Sequence, residues 1–260
     1  MGYHNNMKFE SELNQISELA LASIKSRYRK TWAGFIWVII NPILMFGVQS
    51  MVFKHILKIE LPNYFLFLLG GLLPWIFFTS TIQMGTPIFS QQGQLLRSFK
   101  VNPWVLLGAQ VMDNFVNFLA SFLLILIPFF LMSEKSLGML LLLPLALIPL
   151  LIGTLSLTII LSILNIFYRD VNFVMGFIFS LLFFLTPIFY PKEFIPQEYE
   201  WMIWMNPLIY LIEPFRQVIH SFNGTLFMIS IFKSLIFVTL CGFTALWVWK
   251  RKRNEFYRML

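Results

Sequence analysis

Charged residues are scarce in this sequence. They make up 12% of its 260 residues, while hydrophobic residues make up 58% and the mean hydropathy is +0.76. A soluble domain carries about 25% charged residues. A chain with half that share cannot cover a surface that faces water on all sides. The composition therefore excludes an ordinary soluble globular protein and predicts a polytopic membrane protein.

Residues for redox, metal and hydrolytic chemistry are also few. The chain has one cysteine, Cys241, and three scattered histidines, which excludes a disulfide framework and argues against a metal centre. It contains no Walker A, HExxH or GxSxG motif. Asp113 is the only acid well inside an apolar segment, which argues against transport driven by a proton or sodium gradient. We predict no catalytic centre, metal or cofactor in this chain.

Long hydrophobic segments fill most of the sequence. A membrane-spanning helix needs about 20 apolar residues, and six segments are long enough: 32–53, 64–85, 104–132, 139–166, 172–190 and 229–249. The first 30 residues lack an apolar core, so we expect no cleavable signal peptide. These patterns predict an all-α polytopic membrane protein with one transmembrane domain over 1–260 and both termini on the same side.

The distribution of basic residues predicts which side that is. Of the 19 Lys and Arg residues, 13 fall on the side of the termini, so both termini are predicted to be cytoplasmic. The basic tail at 250–260 is expected to contact anionic lipid headgroups. Nucleic-acid binding is the alternative, but no aromatic-interleaved basic patch or nucleic-acid motif accompanies the tail.

The N-terminal segment 9–30 differs from the spans. Its apolar residues recur at helical spacing, its acidic residues come early and its basic residues come late. This pattern predicts an amphipathic helix that lies in the membrane interface. A solvated basic anchor is the alternative. The apolar residues of the pattern are Leu13, Ile16, Ala20 and Ile24.

Two spans carry polar or aromatic residues on one face. In 104–132 these are Gln110, Asn114, Asn117 and Ser121, which line a wet path or, as we favour, hold helices together. In 172–190 the stripe is aromatic and polar, and it suits either a carbohydrate path, through ring stacking on sugars, or packing of the bundle. That second stripe consists of Asn172, Gly176, Phe179, Phe183, Thr186 and Tyr190.

The segment 191–216 is apolar but broken. Its longest run is about 15 residues and is interrupted at Asn206-Pro207, which is too short to span a membrane. Such a segment either re-enters the membrane from one side or lies on its surface as an amphipathic loop.

Two short connections lie on the predicted cytoplasmic side. One is rich in glutamine and basic residues and predicts a short surface helix, while the other has Arg169-Asp170 at its tip. Each connection is either a passive turn or a point where a partner protein applies force. The residues of the first connection are Gln91, Gln92, Gln94, Arg97 and Lys100.

Five motifs in series resemble the permease subunit of ABC-2 type polysaccharide exporters, the transporters of O-antigen, capsule and teichoic acid. The resemblance covers nearly the whole chain in the correct order, and it is clearest between "FYRDV" and "NPLIYLIEPFR". The motifs are "SRYRKTWAGFIWVIINPIL" at 26–44, "GGLLPWIFFTSTI" at 70–82, "FYRDV" at 167–171, "FFLTPIFYP" at 183–191 and "MNPLIYLIEPFR" at 205–216.

This resemblance implies partners and an architecture. The permease would form a homodimer with two copies of a separate ATPase, which would bind ATP and magnesium. Segment 9–30 would be the interface helix, 89–100 the main coupling helix and Arg169-Asp170 a second contact. Segment 191–216 would form re-entrant half-helices at the exit, with Trp201, Trp204, Asn206, Pro207 and Tyr210.

The resemblance also implies a substrate. Two copies would enclose a path between their first and fifth spans, which adds Trp37 and Asn41 to the aromatic stripe. An undecaprenyl-linked polysaccharide, O-antigen being favoured, would enter from the cytoplasmic leaflet of a bacterial inner membrane. Its pyrophosphate would meet a basic cluster. The residues of that cluster are Lys25, Arg27, Arg29 and Lys30.

Three other functions are alternatives to the export of polysaccharide. The first is an ABC-2 permease for a small drug or lipid, which the aromatic broken segment disfavours. The second is a membrane-embedded lipid-modifying enzyme, which would need a cluster of acids or histidines at one membrane face. The third is a scaffold subunit, which would be excluded if changes in the coupling helix abolish ATP-dependent export.

Overall fold

The structure is a computed structural model and describes residues 2–28, 34–56, 58, 61–99, 102–132 and 137–259. Every regular element within these ranges is helical, as predicted for an all-α protein. The α-helices are α1 Gly2–Tyr28, α2 Gly34–Ser50, α3 Tyr64–Gly85, α4 Ile88–Gln91, α5 Gly93–Phe99, α6 Pro103–Met132, α7 Leu143–Phe167, α8 Val171–Leu185, α9 Glu200–Met205, α10 Pro207–Ile219 and α11 Gly224–Met259.

Short helices of other types extend or precede these elements. A π-helix continues α2, a 3₁₀-helix leads into α7, and two 3₁₀ turns precede α9. Their bounds are Met51–Ile56, Leu137–Leu142, Lys192–Phe194 and Gln197–Tyr199.

Asparagine side chains cap the N-termini of three helices. The Oδ1 atom of Asn102 accepts a hydrogen bond from the backbone N–H of Trp104 at 3.1 Å, just ahead of α6. Asn206 Oδ1 accepts from Leu208 N–H at 3.0 Å at the start of α10. Asn223 Oδ1 accepts two such bonds, both at 3.1 Å, at the start of α11. Each asparagine satisfies N–H groups that have no partner within the helix, and the proline that follows Asn102 and Asn206 suits the first helical position.

Within the described ranges, four helices are long and apolar enough to cross a membrane, which makes the chain a multi-pass membrane protein. They are Tyr64–Gln91, Pro103–Ile127, Gly138–Phe167 and Gly224–Met259. The remaining predicted spans, 32–53 and 172–190, coincide with shorter apolar helices, Pro42–Lys54 and Val171–Leu185. The count of six spans therefore stays a prediction.

The helix of the fifth predicted span is shorter than the sequence suggested. Thr186 is extended, with φ −91° and ψ 125°, because a residue before proline avoids the helical region and Pro187 follows. At 1.5 Å per residue the 15 residues of α8 cover roughly 22 Å, less than the roughly 30 Å of hydrocarbon in a bilayer. Residues 186–191 continue as non-helical chain.

The bundle is arranged around α3. In the most apolar window of each helix, 78% of the α3 residues are buried, against 28% of those in α11. Helix α3 packs against α6, α7 and α10, whereas α11 packs against α7 and α10. The outward face of α11 exposes Phe232 and Phe243, as expected for a helix that faces lipid.

Small residues allow α3 and α7 to approach each other closely. Gly85 on α3 lies against the methyl group of Thr158 on α7, and a Cβ atom at position 85 would overlap that methyl group. The hydroxyl of Thr158 donates to the carbonyl of Thr154 at 2.7 Å, one turn earlier. The hydroxyl is thereby satisfied inside the bundle, and the pair of helices needs no external polar partner.

Helix α1 lies along the start of α6. Ile16 packs against Gly108, where an added Cβ would be 3.0 Å from its Cδ1, and Ala20 is buried. Asn102 Nδ2 donates to Glu12 Oε1 at 2.9 Å. Leu13, which belongs to the predicted apolar stripe, remains 48% exposed. Helix α1 therefore contacts the bundle through Ile16 and Ala20, which lie in the middle of its apolar stripe.

Candidate functional site

The first candidate site is a polar cleft at the end of the bundle where α4 and α5 meet the turn between α7 and α8. It has a volume of about 230 Å³. Two segments that the sequence assigned separately to coupling, one containing Gln94 and Arg97 and the other Arg169, lie side by side here. The cleft is lined by Phe89, Ser90, Gly93, Gln94, Arg97, Ile166, Arg169 and Met259.

The other predicted coupling residues surround this polar cleft. Gln91, Gln94, Arg97, Arg169 and Asp170 are all exposed. The predicted single surface helix is divided into α4 and α5 at Gln92, which is half-buried and has φ −107° and ψ 21°. Lys100 lies outside the described residues.

A buried asparagine, which the sequence analysis did not single out, joins the two sides of the cleft. Ser90 Oγ on α4 donates to Asn165 Oδ1 at 3.0 Å. Asn165 Nδ2 in turn donates to the carbonyl of Arg169 at 3.3 Å. Asn165 is 3% exposed, so its amide is shielded from bulk water, although Ser90 and Arg169 are exposed. The only signal in the sequence was a polar residue at the end of an apolar span.

The base of the cleft is aromatic. Phe89 on α4 and Phe256 on α11 are both fully buried, and their rings meet edge to face with centroids 5.2 Å apart. Trp249 packs edge-on against Phe256 at 5.3 Å and against Trp104 at 4.4 Å. The basic segment 250–260 continues α11 as far as Met259, and Phe256 packs into the bundle. The predicted contact of this segment with lipid headgroups stays a prediction.

The second candidate site is the junction formed by 186–191, the non-helical stretch that follows α8. Three side chains from other elements hold it by hydrogen bonds. Tyr64 Oη donates to the carbonyl of Phe189 at 2.9 Å, and Arg216 Nη2 donates to that of Ile188 at 2.8 Å. Asn206 Nδ2 donates to Thr186 Oγ1 at 2.7 Å. Elements distant in sequence therefore satisfy the polar groups that the break in α8 exposes.

Arg216 is the central residue of this junction. It is 7% exposed, and its guanidinium lies 4.2 Å from the centre of the Phe67 ring. A Cβ atom on Gly71 would be 2.7 Å from Arg216 Nη2 and 3.3 Å from the carbonyl oxygen of Ile188. Only glycine leaves room for the guanidinium at this point. In the sequence, Arg216 stands out only as a cation outside the six predicted spans; the adjacent glycines at 70–71 were the available signal of close approach.

Three of the six predicted path residues in 172–190 pack inside the bundle. Phe179 is 5% exposed and meets Phe78, and Thr186 is 1% exposed. Phe183 packs against Trp75 and Phe189. These contacts are those expected of the packing alternative, and the role of the three residues in a path stays a prediction.

The outward face of α8 carries different aromatic residues. Phe173, Phe177 and Phe184 are 78%, 66% and 72% exposed. Of the remaining predicted residues, Asn172, Gly176 and Tyr190 are half-buried. The side chains of Trp37 and Asn41 on α2 lie outside what the structure describes.

The predicted exit segment divides into two unlike helices. Trp201 on α9 is 54% exposed, whereas Asn206 is buried at the start of α10, and Tyr210 on α10 is half-buried. Helix α10 packs against α3, α7 and α11, so it is not part of a surface loop. Its depth in a membrane stays a prediction. The side chains of Trp204 and Pro207 lie outside the described part.

The predicted basic cluster for a pyrophosphate is only partly described. Lys25 is exposed on α1. The side chain of Arg27 and the whole of Arg29 and Lys30 lie outside the described residues, so their role stays a prediction.

The polar face of α6 contacts α3. Asn114 Nδ2 lies 3.7 Å from the sulfur of Met84, and Gln110 Nε2 lies 4.0 Å from the same sulfur. Asn117 Nδ2 donates to Asp113 Oδ1 at 3.3 Å within α6. These contacts are those expected if the polar face holds helices together, which was the favoured interpretation.

Comparisons with known proteins cover most of the chain. Residues 14–220 match the family described as ABC-2 type transporter. The O-antigen export system permease protein RfbA of Klebsiella pneumoniae is 31% identical over 204 residues, which is 78% of this chain and 78% of that protein. RfbA of Myxococcus xanthus is 30% identical over 78% of this chain and 79% of its own length. The polysialic acid transport protein KpsM of Escherichia coli is 23% identical over 81% and 83%.

Proposed function

The chain belongs to the ABC-2 type transporter family, and we propose that it is the permease subunit of an ATP-driven exporter of lipid-linked O-antigen. The observation that carries this proposal is the similarity, along about four fifths of the chain, to permeases of O-antigen export at 30% and 31% identity. The polysialic acid transport protein is more distant, at 23%. O-antigen is therefore favoured over a capsular polymer.

The permease would act as a homodimer with two copies of a separate ATPase, which would bind ATP and magnesium. The polar cleft supports this arrangement, because it joins α5 to the α7–α8 turn and presents Arg97 and Arg169 together. A partner that enters the cleft would contact both segments at once. The aromatic base would then transmit its movement to α11 through Phe89 and Phe256.

The orientation follows from the basic residues at the same end of the bundle. Arg97 and Arg169 line the polar cleft, and the end of α11 that contributes Met259 carries four consecutive basic residues at 250–253. Excess positive charge marks the cytoplasmic side. We place the cleft and both termini in the cytoplasm and the protein in the bacterial inner membrane.

The polysaccharide would pass along α2 and α8. On α8 the exposed rings of Phe173, Phe177 and Phe184 would face a second copy of the permease or the sugar chain, together with the half-buried Asn172 and Gly176. Weak, repeated ring stacking suits a polymer that must slide. The undecaprenyl pyrophosphate would enter near the basic end of α1, where Lys25 is exposed.

The test is co-expression of this chain with the ATPase encoded beside it. We expect a complex of two permeases and two ATPases that hydrolyses ATP in lipid, and restored surface O-antigen in a cell that lacks its own permease. Arg97→Glu combined with Gln94→Pro should abolish assembly or coupled hydrolysis. The control is Arg253→Glu, an exposed cation on α11 outside the cleft lining.

Two outcomes would count against the proposal. If the chain purifies alone and no ATPase associates with it, the exporter assignment fails. If the complex forms and a different polymer reaches the cell surface, the O-antigen assignment fails while the exporter assignment stands.

A further inference from the structure

A second cavity, with a volume of about 350 Å³, lies between the turn Lys192–Phe194, α9, α10 and the beginning of α11. It shares no lining residue with the polar cleft, and its Glu213 and Glu193 interact electrostatically with Arg216 of the junction. Its walls combine carboxylates and lysines with aliphatic side chains. The charged residues that line it are Lys192, Glu193, Glu200, Glu213 and Lys233.

Three of these five charged side chains make no direct polar contact within the described part of the chain, although Glu193 and Glu213 interact electrostatically with the buried Arg216. Within the part of the chain that the structure describes, the side chains of Lys192, Glu193 and Glu200 form no hydrogen bond or ion pair. Glu213 lines the cavity, and its Oε1 accepts one hydrogen bond, from Gln217 Nε2 at 3.0 Å. The cavity therefore offers both carboxylates and an ammonium group to a ligand.

The remaining wall of the cavity is apolar and continues into a face that suits lipid. Leu226 and Ile229 on α11 line the cavity and are each 45% exposed. The neighbouring Met228 and Phe232 are 73% and 66% exposed. A hydrocarbon chain can lie along this face of α11 while its polar end enters the cavity.

The α11 wall of the cavity lies away from the proposed polysaccharide path, whereas its α10 wall includes Tyr210, which the resemblance places at the exit of that path. Its α11 wall belongs to a helix that packs against α7 and α10, whereas α8 packs against α3 and α7. A ligand at the edge of α11 is in contact with the surrounding membrane. This location favours a membrane lipid over a sugar chain that moves along α2 and α8.

We propose that this cavity binds the headgroup of a zwitterionic phospholipid that carries a primary ammonium group. The ammonium would lie among Glu193, Glu200 and Glu213, and the phosphate would lie near Lys192 and Lys233. Arg216, which interacts electrostatically with Glu213 and Glu193, offsets one of the three carboxylates, so the lining suits a headgroup that carries both a positive and a negative group.

The residues that line the cavity also favour a primary ammonium over a quaternary one. A primary ammonium donates hydrogen bonds to carboxylate oxygens, whereas a quaternary ammonium is recognised by several aromatic rings. Tyr210 is the one aromatic ring among the described residues that line the cavity, and Lys233 Nζ already lies 5.5 Å from its centre. This inference does not depend on which polymer the transporter exports.

The experiment is native mass spectrometry of the full-length chain released from detergent, with phospholipids added in competition. The probes are phosphatidylethanolamine, phosphatidylcholine, phosphatidylglycerol and N-acylated phosphatidylethanolamine, which keeps the phosphate and loses the ammonium. We expect phosphatidylethanolamine to be retained at least about fivefold over each of the others, as one favourable charge pair of about 1 kcal/mol would give.

Substitutions in the cavity distinguish this site from general lipid binding. Glu193→Gln with Glu200→Gln should remove the preference for phosphatidylethanolamine, and Glu193→Lys with Glu200→Lys should transfer it to phosphatidylglycerol. Both side chains are exposed and unpaired, so the fold should tolerate these changes. Glu255→Gln, at the opposite end of α11, is the matched control and should bind as the wild type does.

Several results would overturn the proposal. Equal retention of phosphatidylethanolamine and its N-acylated form would show that the ammonium is not recognised. An unchanged preference in the Glu193 and Glu200 variants would place the lipid elsewhere on the protein. Neither result would affect the proposed export function, which is measured by ATPase association and surface O-antigen.

Discussion

The junction and the polar cleft both contain polar side chains, but their arginines differ in exposure. Those of the cleft are exposed, and that of the junction is buried. At the junction, Thr186, Asn206 and Arg216 are 1%, 4% and 7% exposed, and each one forms a hydrogen bond within the bundle. At the cleft, Arg97 and Arg169 lie on the exposed surface.

This difference separates structural from interaction roles. A hydrogen bond inside a dry bundle is costly to break, because the group left behind has no water to replace its partner. An exposed charge contributes little to the free energy of unfolding and remains available to a partner protein. Changes at the junction should therefore alter stability, and changes at the surface of the cleft should alter assembly with the ATPase.

The largest effect is expected beneath the cleft, at its aromatic base. Phe256→Ala removes a fully buried ring that packs against Phe89 and Trp249. Loss of a buried phenylalanine costs about 3 to 5 kcal/mol. Because Phe256 is near the end of α11, we expect local opening of 250–259, measured as faster hydrogen–deuterium exchange there. Tyr257→Ala, at a side chain that is 55% exposed, should change exchange much less.

The next effect concerns the capping asparagine of the junction. Asn206→Ala removes both the cap of α10 and the hydrogen bond to Thr186, and we expect a loss of about 2 to 3 kcal/mol in the free energy of unfolding in mixed micelles. Asn223→Ala removes only a cap, at an exposed position, and should cost about 1 kcal/mol. Equal losses in the two variants would contradict the structural role of the Thr186 contact.

Two helical glycines provide a smaller test. Gly71→Ala places a methyl group against the guanidinium of Arg216 and should cost about 1 to 2 kcal/mol. Gly176→Ala on α8 meets no atom within 4 Å and should stabilise the protein by about 0.5 to 1 kcal/mol. Thermal unfolding in detergent should shift in opposite directions for the two variants. A shift in the same direction would show that Arg216 does not depend on the close approach of α3.

The smallest effect on stability is expected at the surface of the cleft. Arg97→Glu with Arg169→Glu should change the free energy of unfolding by less than about 0.5 kcal/mol, yet co-purification of the ATPase should be lost. Arg253→Glu with Arg258→Glu changes two exposed cations outside the cleft lining and serves as the control. If both double variants lose the ATPase equally, general positive charge rather than the cleft accounts for binding.

Local features of the helices were predictable because they depend on short stretches of sequence. The span 64–85 coincides with α3, and the Asn-Pro pairs at 102–103 and 206–207 mark helix starts because capping needs only neighbouring residues. The glutamine-rich segment was correctly predicted to be helical, although Gln92 divides it into α4 and α5.

The direction in which side chains point was less predictable. Phe179 and Phe173 have the same chemistry and both lie on α8, yet one is 5% and the other 78% exposed. Their spacing along the helix places them on different faces, but it does not say which face meets α3. The burial of Arg216 likewise depends on a glycine 145 positions earlier in the chain, at 71, and on the carbonyl of Ile188.

The sequence alone determined the class of the protein, its helices and the resemblance that led to its family. Scarce charge, long apolar segments and ordered motifs are each read from neighbouring residues. Only the tertiary structure decided that Arg216 closes the junction, that Phe256 supports the cleft and that Arg97 lies beside Arg169. These relations join residues far apart in the chain, and they arise from the close packing of α3, α7, α10 and α11 rather than from any local preference.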